Sequence, residues 1–350
     1  MKRLLAWSAL PLFLAGCGAG GGSSTTSDVV TVVPTGTATP APAPSPTATP
    51  APMPAPTGTP APTGFAAQVA ALYAVQPNIA NCQAGQLASA TTATLLANLN
   101  GLRALHRLPP VTYSAADEAG AQQSALLQAA NDALSHTPPP NWKCYTALGA
   151  QVSAQANLYG GFGGGLGVMS DDAILAGWMT EMNNVVADSV GHRRWILHPF
   201  LGAVSYGRVI GASPTSTRAD GAALKVFGMP GAGVANGPLP PFIAYPYEEY
   251  PARYFDLGAL HSFSVIASST PGSSANATVS FANARVTVTQ RGGGAMTVSK
   301  ISFDNVGYGL PNNLQWAVAG LRAGTIYDVS ITNVVVSGQT RSYTYYFRVV

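Results

Sequence analysis

Charge is scarce in this chain. Of its 350 residues only 9% are Asp, Glu, Lys or Arg, and 17 basic against 14 acidic groups leave a formal net charge of +3. No basic block occurs, nor any interleaving of basic with aromatic residues, so the electrostatic footprint of a nucleic-acid binder is missing. The folded surface must be dressed largely by Ser, Thr, Asn, Gln and backbone. The apolar run Leu4–Ala15 is too short for a comfortable membrane span. No G-x-S-x-G is present, which argues against the nucleophile elbow of an α/β-hydrolase. The glycine run from Gly160 to Gly167 fails the G-x-G-x-x-G spacing and is followed by no Lys-Ser or Lys-Thr, so it is no phosphate cradle. It reads instead as the mobile rim of a cavity.

Cysteine is scarce too, and its placement is informative. Lys2 and Arg3 precede the Leu4–Ala15 run, which ends in Leu14-Ala15-Gly16-Cys17 and resembles a bacterial lipobox. That resemblance implies a signal peptide over residues 1–16 and acyl chains on Cys17, and two or more chains on one residue give stable anchoring. Of three cysteines, Cys82 and Cys144 then remain as an even pair in a compartment where disulfides persist. Gly18 after the lipidated position is not an aspartate, which by the bacterial sorting pattern points to the outer membrane. Residues 17–64 are a Pro/Ala/Thr-rich linker with Asp28 as its only charge. Such a composition cannot bury a core. From Pro34 to Gly64 it reaches on the order of 90 Å if it is extended at about 3.1 Å per residue.

Beyond Gly64 helical signals begin. Thr91 or Thr92 can cap a segment with Leu95, Leu99 and Leu102 at helical spacing, broken by Leu108-Pro109-Pro110-Val111. Ser114, with Asp117 three residues on, introduces a second helix to about Leu134. Residues 138–170 read as loop. Ser170 can cap a third helix with Asp171 and Asp172 at its positive end. After His198-Pro199 alternation sets in, and LGAVSYGRV and LKVF read as strands. A proline-rich joint, GPLPPFIAYPYEEYP, marks a boundary near residue 235. The short alternating runs that follow predict a small β-sandwich. The stretch Leu321–Val329 resembles the tyrosine-corner segment of immunoglobulin-like modules. The plain reading of this second domain is a spacer or adhesive module without chemistry.

Three ionisable residues stand at the edges of apolar elements. Ile174, Trp178 and Glu181 fall at i, i+4 and i+7, which puts a glutamate on an apolar helix face. His192 opens the run Trp195-Ile196-Leu197, and His136 ends the second helix against three prolines. For each, a satisfied structural role is as good a reading as a ligand role.

The order LLANLNGLRALHRLPPVTYS, SHTPP, Asn-Leu followed by glycines, AILAGWMTE and VGHRRWIL, over residues about 92 to 230, resembles the CAP superfamily (SCP-like; cysteine-rich secretory, antigen 5 and pathogenesis-related proteins). The resemblance implies an α+β fold: a CAP-type α-β-α sandwich over residues 65–234, followed by the β-sandwich at 240–350. It also implies a cavity of two histidines and two acids, to which His136, Glu181 and His192 correspond. The first acid is missing. It would precede Asn157-Leu158, where Ala156 stands, and no Asp or Glu occurs from Ala133 to Ser170. Gln151 is the polar candidate in its place. Two imidazoles and one carboxylate can still hold a divalent metal such as zinc, but hydrolysis also needs a general base, and Gln151 cannot take a proton. The expected function is therefore an anchored extracytoplasmic CAP-domain protein that binds a small apolar, cell-wall or host ligand in a cavity lined by His136, Gln151, Asn157, Glu181 and His192. The alternatives are a metal-assisted, peptidase-like hydrolase using His136, Glu181 and His192, and an adhesive or structural surface protein. Arg193 and Arg194 are expected to meet acids or carbonyls; His106, His198 and His261 are read as surface or packing residues.

Overall fold

A computed structural model describes residues 64–165, 167–229 and 238–350. The lipobox, Cys17 and nearly all of the linker lie outside the described residues, as does part of the joint near 235.

Helix α1 (Phe65–Ala71) and the antiparallel strands β1 (Tyr73–Val75) and β2 (Gln86–Leu87) lead into helix α2 (Ser89–Leu105). There follow β3 (Thr112–Tyr113), α3 (Glu118–Asn131), α4 (Ala147–Ser153), β4 (Ala156–Phe162), α5 (Asp171–Thr180), α6 (Gly191–Ile196), β5 (Ala203–Gly211) and β6 (Ala219–Lys225). The four strands from β3 onward form one sheet in the order β3-β5-β6-β4, with β3 parallel to β5 and the other pairs antiparallel. Every residue of β6 is buried, which requires cover on both faces. On one face Ala121, Val152, Ala156, Leu158 and Ala223 pack together, joining α3 and α4 to β4 and β6. On the other, Leu95, Leu99, Ile174, Trp178 and Ile196 of α2, α5 and α6 meet Val204, Tyr206, Ala222 and Leu224. This is the α-β-α layering the resemblance implies.

The approach of α3 to the sheet is closer than side chains permit. A Cβ built at Gly207 of β5 would sit 2.2 Å from the Ala121 carbonyl carbon and oxygen, and one at Gly221 of β6 would sit 2.5 Å from the Ala125 oxygen. Glycine at these two positions lets a helix lie directly on strand backbone.

Local signals explain some boundaries and not others. Ser170 caps α5 as expected, its Oγ accepting from the Ala173 amide at 3.1 Å. Helix α2 starts at Ser89, ahead of both threonines, because Thr91 Oγ1 donates to Leu72 O and Thr92 Oγ1 to Ser89 O instead of capping. Ser114 Oγ donates to Asp117 Oδ2 at 2.6 Å and leaves a 3-10 turn before α3. Helix α3 stops at Asn131, where Asp132 turns left-handed with φ 45°, short of Leu134. The expected loop at 138–170 in fact contains α4 and β4. Gly160 and Gly161, assigned to a cavity rim, are paired with Gly221 and Asp220 of β6.

The second half of the chain adds two four-stranded sheets. One has the order β11 (Val298–Asp304), β12 (Asn313–Val318), β9 (His261–Val265) and β7 (Phe242–Tyr245). The other runs β10 (Arg285–Gln290), β13 (Ile326–Val336), β14 (Gln339–Val349) and β8 (Glu248–Tyr250). Rings from the two sheets meet, as Phe263 does with Tyr343 at 5.2 Å. Within the tyrosine-corner stretch, the Tyr327 hydroxyl accepts from the Arg322 amide at 2.8 Å.

The described residues belong to one compact unit. A single hydrophobic cluster runs from Leu99, Leu102 and Ile196 to Tyr245, Phe263 and Trp316, so the two halves share a core. Cys82 and Cys144 are bonded to each other. Among the described residues no helix is long and apolar enough to cross a membrane.

Candidate functional site

The site gathers around β4, an edge strand of the first sheet. Helix α5 ends at Thr180, and Glu181 follows in a left-handed conformation at φ 59°. Glu181 therefore does not continue the helical stripe of Ile174 and Trp178 but turns away as the C-cap. Its side chain is only 4% exposed. Three donors satisfy its carboxylate: His192 Nδ1 at 2.7 Å and Asn184 Nδ2 at 2.8 Å on Oε2, and the Arg193 amide at 3.1 Å on Oε1. The Arg193 amide belongs to the first turn of α6, where N–H groups lack helical partners. A buried carboxylate at that end completes the helix start and favours negative charge there.

His192, 19% exposed at its side chain, is fixed from both sides. Its Nδ1–H donates to Glu181, and its backbone oxygen accepts from Asn157 Nδ2 of β4 at 3.0 Å. Trp178 stands behind it, ring centroids 6.5 Å apart, with the indole N–H donating to Leu158 O at 3.0 Å. With Nδ1–H given to Glu181, Nε2 is the ring nitrogen left for a ligand.

His136 reaches the same region after α3. Its Nδ1–H donates to Ser153 O at the end of α4, at 2.8 Å. A buried polar relay steadies this turn: Gln128 Oε1 accepts from the Ser135 amide at 2.8 Å, while Gln128 Nε2 donates to Ser153 Oγ at 3.1 Å. His136 keeps a solvent-exposed side. Its pKa is nonetheless lowered, by surrounding protein first and further by charge on His192, with the bond to Ser153 opposing. The two rings thus sense each other electrostatically, and each has committed Nδ1.

The other cavity candidates divide. Asn157 is buried and serves the site by holding His192. Gln151 lies exposed on α4. Ala156, where the family's first acid would stand, packs toward the α3 and α4 layer with Ala121, Val152 and Leu158. The metal set of His136, Glu181 and His192 does not fit a shared ion. The Glu181 oxygens already take three protein donors, and among the described residues no group of three or more His, Cys, Asp or Glu could hold a metal ion. Asn184 belongs to the site and carries no sequence signal; it is found only because the chain folds back between Glu181 and His192.

Arg193 and Arg194 meet carbonyls and acids, as expected. Arg194 Nη1 donates to both carboxylate oxygens of Asp304 at 2.9 Å. His106 and His261 are packing residues and not surface ones: His106 lies between Ala244 O and the Tyr250 hydroxyl, and His261 is fully buried among rings. The buried cluster of Arg208 with Asp171 at 2.8 Å and Asp220 at 2.7 Å escaped sequence reading.

No curated protein matches the chain. Residues 96–215 match the family model of CAP, the cysteine-rich secretory protein family. That span runs from within α2 through β5 and contains His136, Glu181 and His192, so it is residues 96–215 that are similar to a CAP domain.

Proposed function

We propose that the CAP domain is a binding module whose cavity recognises a ligand with hydrogen-bond donors through His136 and His192. The observation that carries this reading is the state of Glu181. Its carboxylate accepts three internal bonds and orients His192, so it serves to hold a ring and not to exchange protons with a substrate. Each imidazole has spent its Nδ1–H on the protein, which leaves Nε2 to accept a donor from outside. The apolar side chains of Met182, Val185 and Val186, all exposed just after Glu181, suit a ligand with an apolar part. A hydrolase is the weaker reading, because Ala156 supplies no second acid.

The proposal includes a tether: acylation of Cys17 holds the protein on the outer face of a bacterial membrane, and the linker carries the folded part away from it. The ligand then comes from lipid, wall or host. Nucleic acid is not a partner, given the near balance of charge.

Purified protein titrated with a fluorescent fatty acid and with soluble peptidoglycan fragments tests the cavity. Saturable binding of one probe, weakened at least tenfold by His192→Ala and by His136→Ala with the fold intact, is expected. If neither probe binds, or both variants bind as the parent does, the reading is wrong. Labelling with a palmitate analogue, lost in Cys17→Ala, tests the tether.

A further inference from the structure

We infer that the C-terminal β-domain is a working part of the candidate site, holding the Glu181–His192 pair in place through Arg193 and the segment between the two residues. The pair is far from self-supporting. Glu181 follows the last turn of α5, His192 lies in the first turn of α6, and the connection between them contains no regular element. Val185 and Val186 within it are exposed. What fixes its ends comes largely from behind.

Arg193 is the central brace. Its backbone N–H donates to Glu181 Oε1, and its side chain, with no exposed surface, returns to the end of α5 and crosses into the second domain. Nε donates to Met179 O at 2.6 Å, and Nη1 donates to Leu260 O at 2.8 Å and to Ser262 Oγ at 3.1 Å. The guanidinium carbon lies 3.7 Å from the centroid of the Tyr245 ring. A buried guanidinium is stable only when its donors are met. Here two of those acceptors and the aromatic face belong to β7, β9 and the residue before β9. Docking of the β-domain and placement of the Arg193 backbone are one event.

The connection itself is pinned from the same side. Gln315 Nε2 of β12 donates to Asp188 O at 2.7 Å, and Lys300 of β11 pairs with the Asp188 carboxylate at 2.8 Å. Gly309, at φ 68°, lies so close to α6 that a Cβ there would be 2.5 Å from Arg194 O. The β-domain thus touches the segment after Glu181 and the helix that bears His192. Arg193 is a positioning residue, since it acts on His192 and Glu181 and on no ligand. This inference rests on the proposed binding role only for its functional consequence; the geometry it asserts is read from the ring itself.

The test is ¹⁵N–¹H correlation of the histidine imidazoles in the full-length protein at neutral pH, without ligand. The parent should show a His192 Nδ1 proton bound to Glu181 and slow to exchange. Ser262→Ala combined with Gln315→Ala, both in the β-domain, should speed exchange of the His192 Nδ1 proton with solvent at least tenfold. Arg193→Lys, which keeps charge but loses the fork, should add tautomer mixing at His192. His136, whose Nδ1 is held by Ser153, should be unchanged in both. If the double variant is folded, with the His106 signal intact at the domain interface, and His192 is unaltered, the inference fails, whether or not Arg193→Lys folds. Absence of probe binding by the parent would sink the binding role while leaving this result to decide the positioning role.

Discussion

His261 should make the protein acid-labile, and His261→Phe should remove that component. The imidazole is wholly buried, stacked on Trp316 with centroids 5.6 Å apart and flanked by Phe255 and Phe347 at 5.3 and 5.2 Å. Neither ring nitrogen has a hydrogen-bond partner among the described residues. Burial lowers its pKa from 6.5 to about 3, with charge on Arg193 adding to the effect. Because the folded pKa is depressed, the unfolded chain binds the proton first. The contribution to stability is complete above pH 6.5 and is lost as pH falls from there toward 3. At pH 4.5 the unfolded histidine lies two units below its pKa and the folded one is still neutral, so the penalty is about 3 kcal/mol. Phenylalanine cannot be protonated. It also removes two unsatisfied nitrogens, at about 1–3 kcal/mol each, against a cost of similar size for a larger ring in a full cage. These last two terms do not depend on pH. Urea unfolding of parent and His261→Phe at pH 7.5 and 4.5 isolates the titration: the variant's advantage should grow by about 3 kcal/mol at the lower pH, whatever its sign at the higher. Growth below about 1 kcal/mol would refute the claim that the ring is buried neutral and unpartnered.

Gly207→Ala forces a methyl against the Ala121 backbone, which cannot rotate away, and should cost about 3 kcal/mol or more, read as a lowered melting temperature. Cys82→Ser with Cys144→Ser opens a loop with sequence separation 62; the chain-entropy model gives a loss of about 4 kcal/mol, and chemical unfolding with and without reductant should show reductant affecting only the parent. Ser170→Ala removes the cap on the Ala173 amide and should cost about 1 kcal/mol, with circular dichroism confirming that α5 persists.

What the sequence could reveal was local or chemically marked. Ser170 announced α5 because a capping hydroxyl and two acids precede an apolar stripe. Cys82 and Cys144 were a pair by elimination, and Arg193 and Arg194 had to meet acceptors because guanidinium groups inside an apolar run are otherwise untenable. Strand β4 was missed because Gly160 and Gly161 carry no side chains to alternate, so only pairing to β6 identifies it. Glu181 was placed on a helical face by spacing, but a left-handed residue breaks that period and is invisible in composition. Asn184, Gln315 and Ser262 enter the account through contacts between distant segments, for which one chain provides no local pattern. The same holds for the common core: Leu99 and Trp316 each read as the inside of their own element, and nothing short-range says they belong to one cluster.

That cluster has a bearing on how the protein tolerates being cut. Hydrolysis of one peptide bond between residues 230 and 237 would sever the two halves covalently, yet His106 on Ala244 O, Arg193 on Leu260 O and Arg194 on Asp304 all join one fragment to the other. A nicked molecule should run as two bands under denaturing conditions and elute as one species under native ones. By the same logic the fragments, expressed together, should recover the whole by complementation, whereas either alone would present the other's imprint as bare apolar surface.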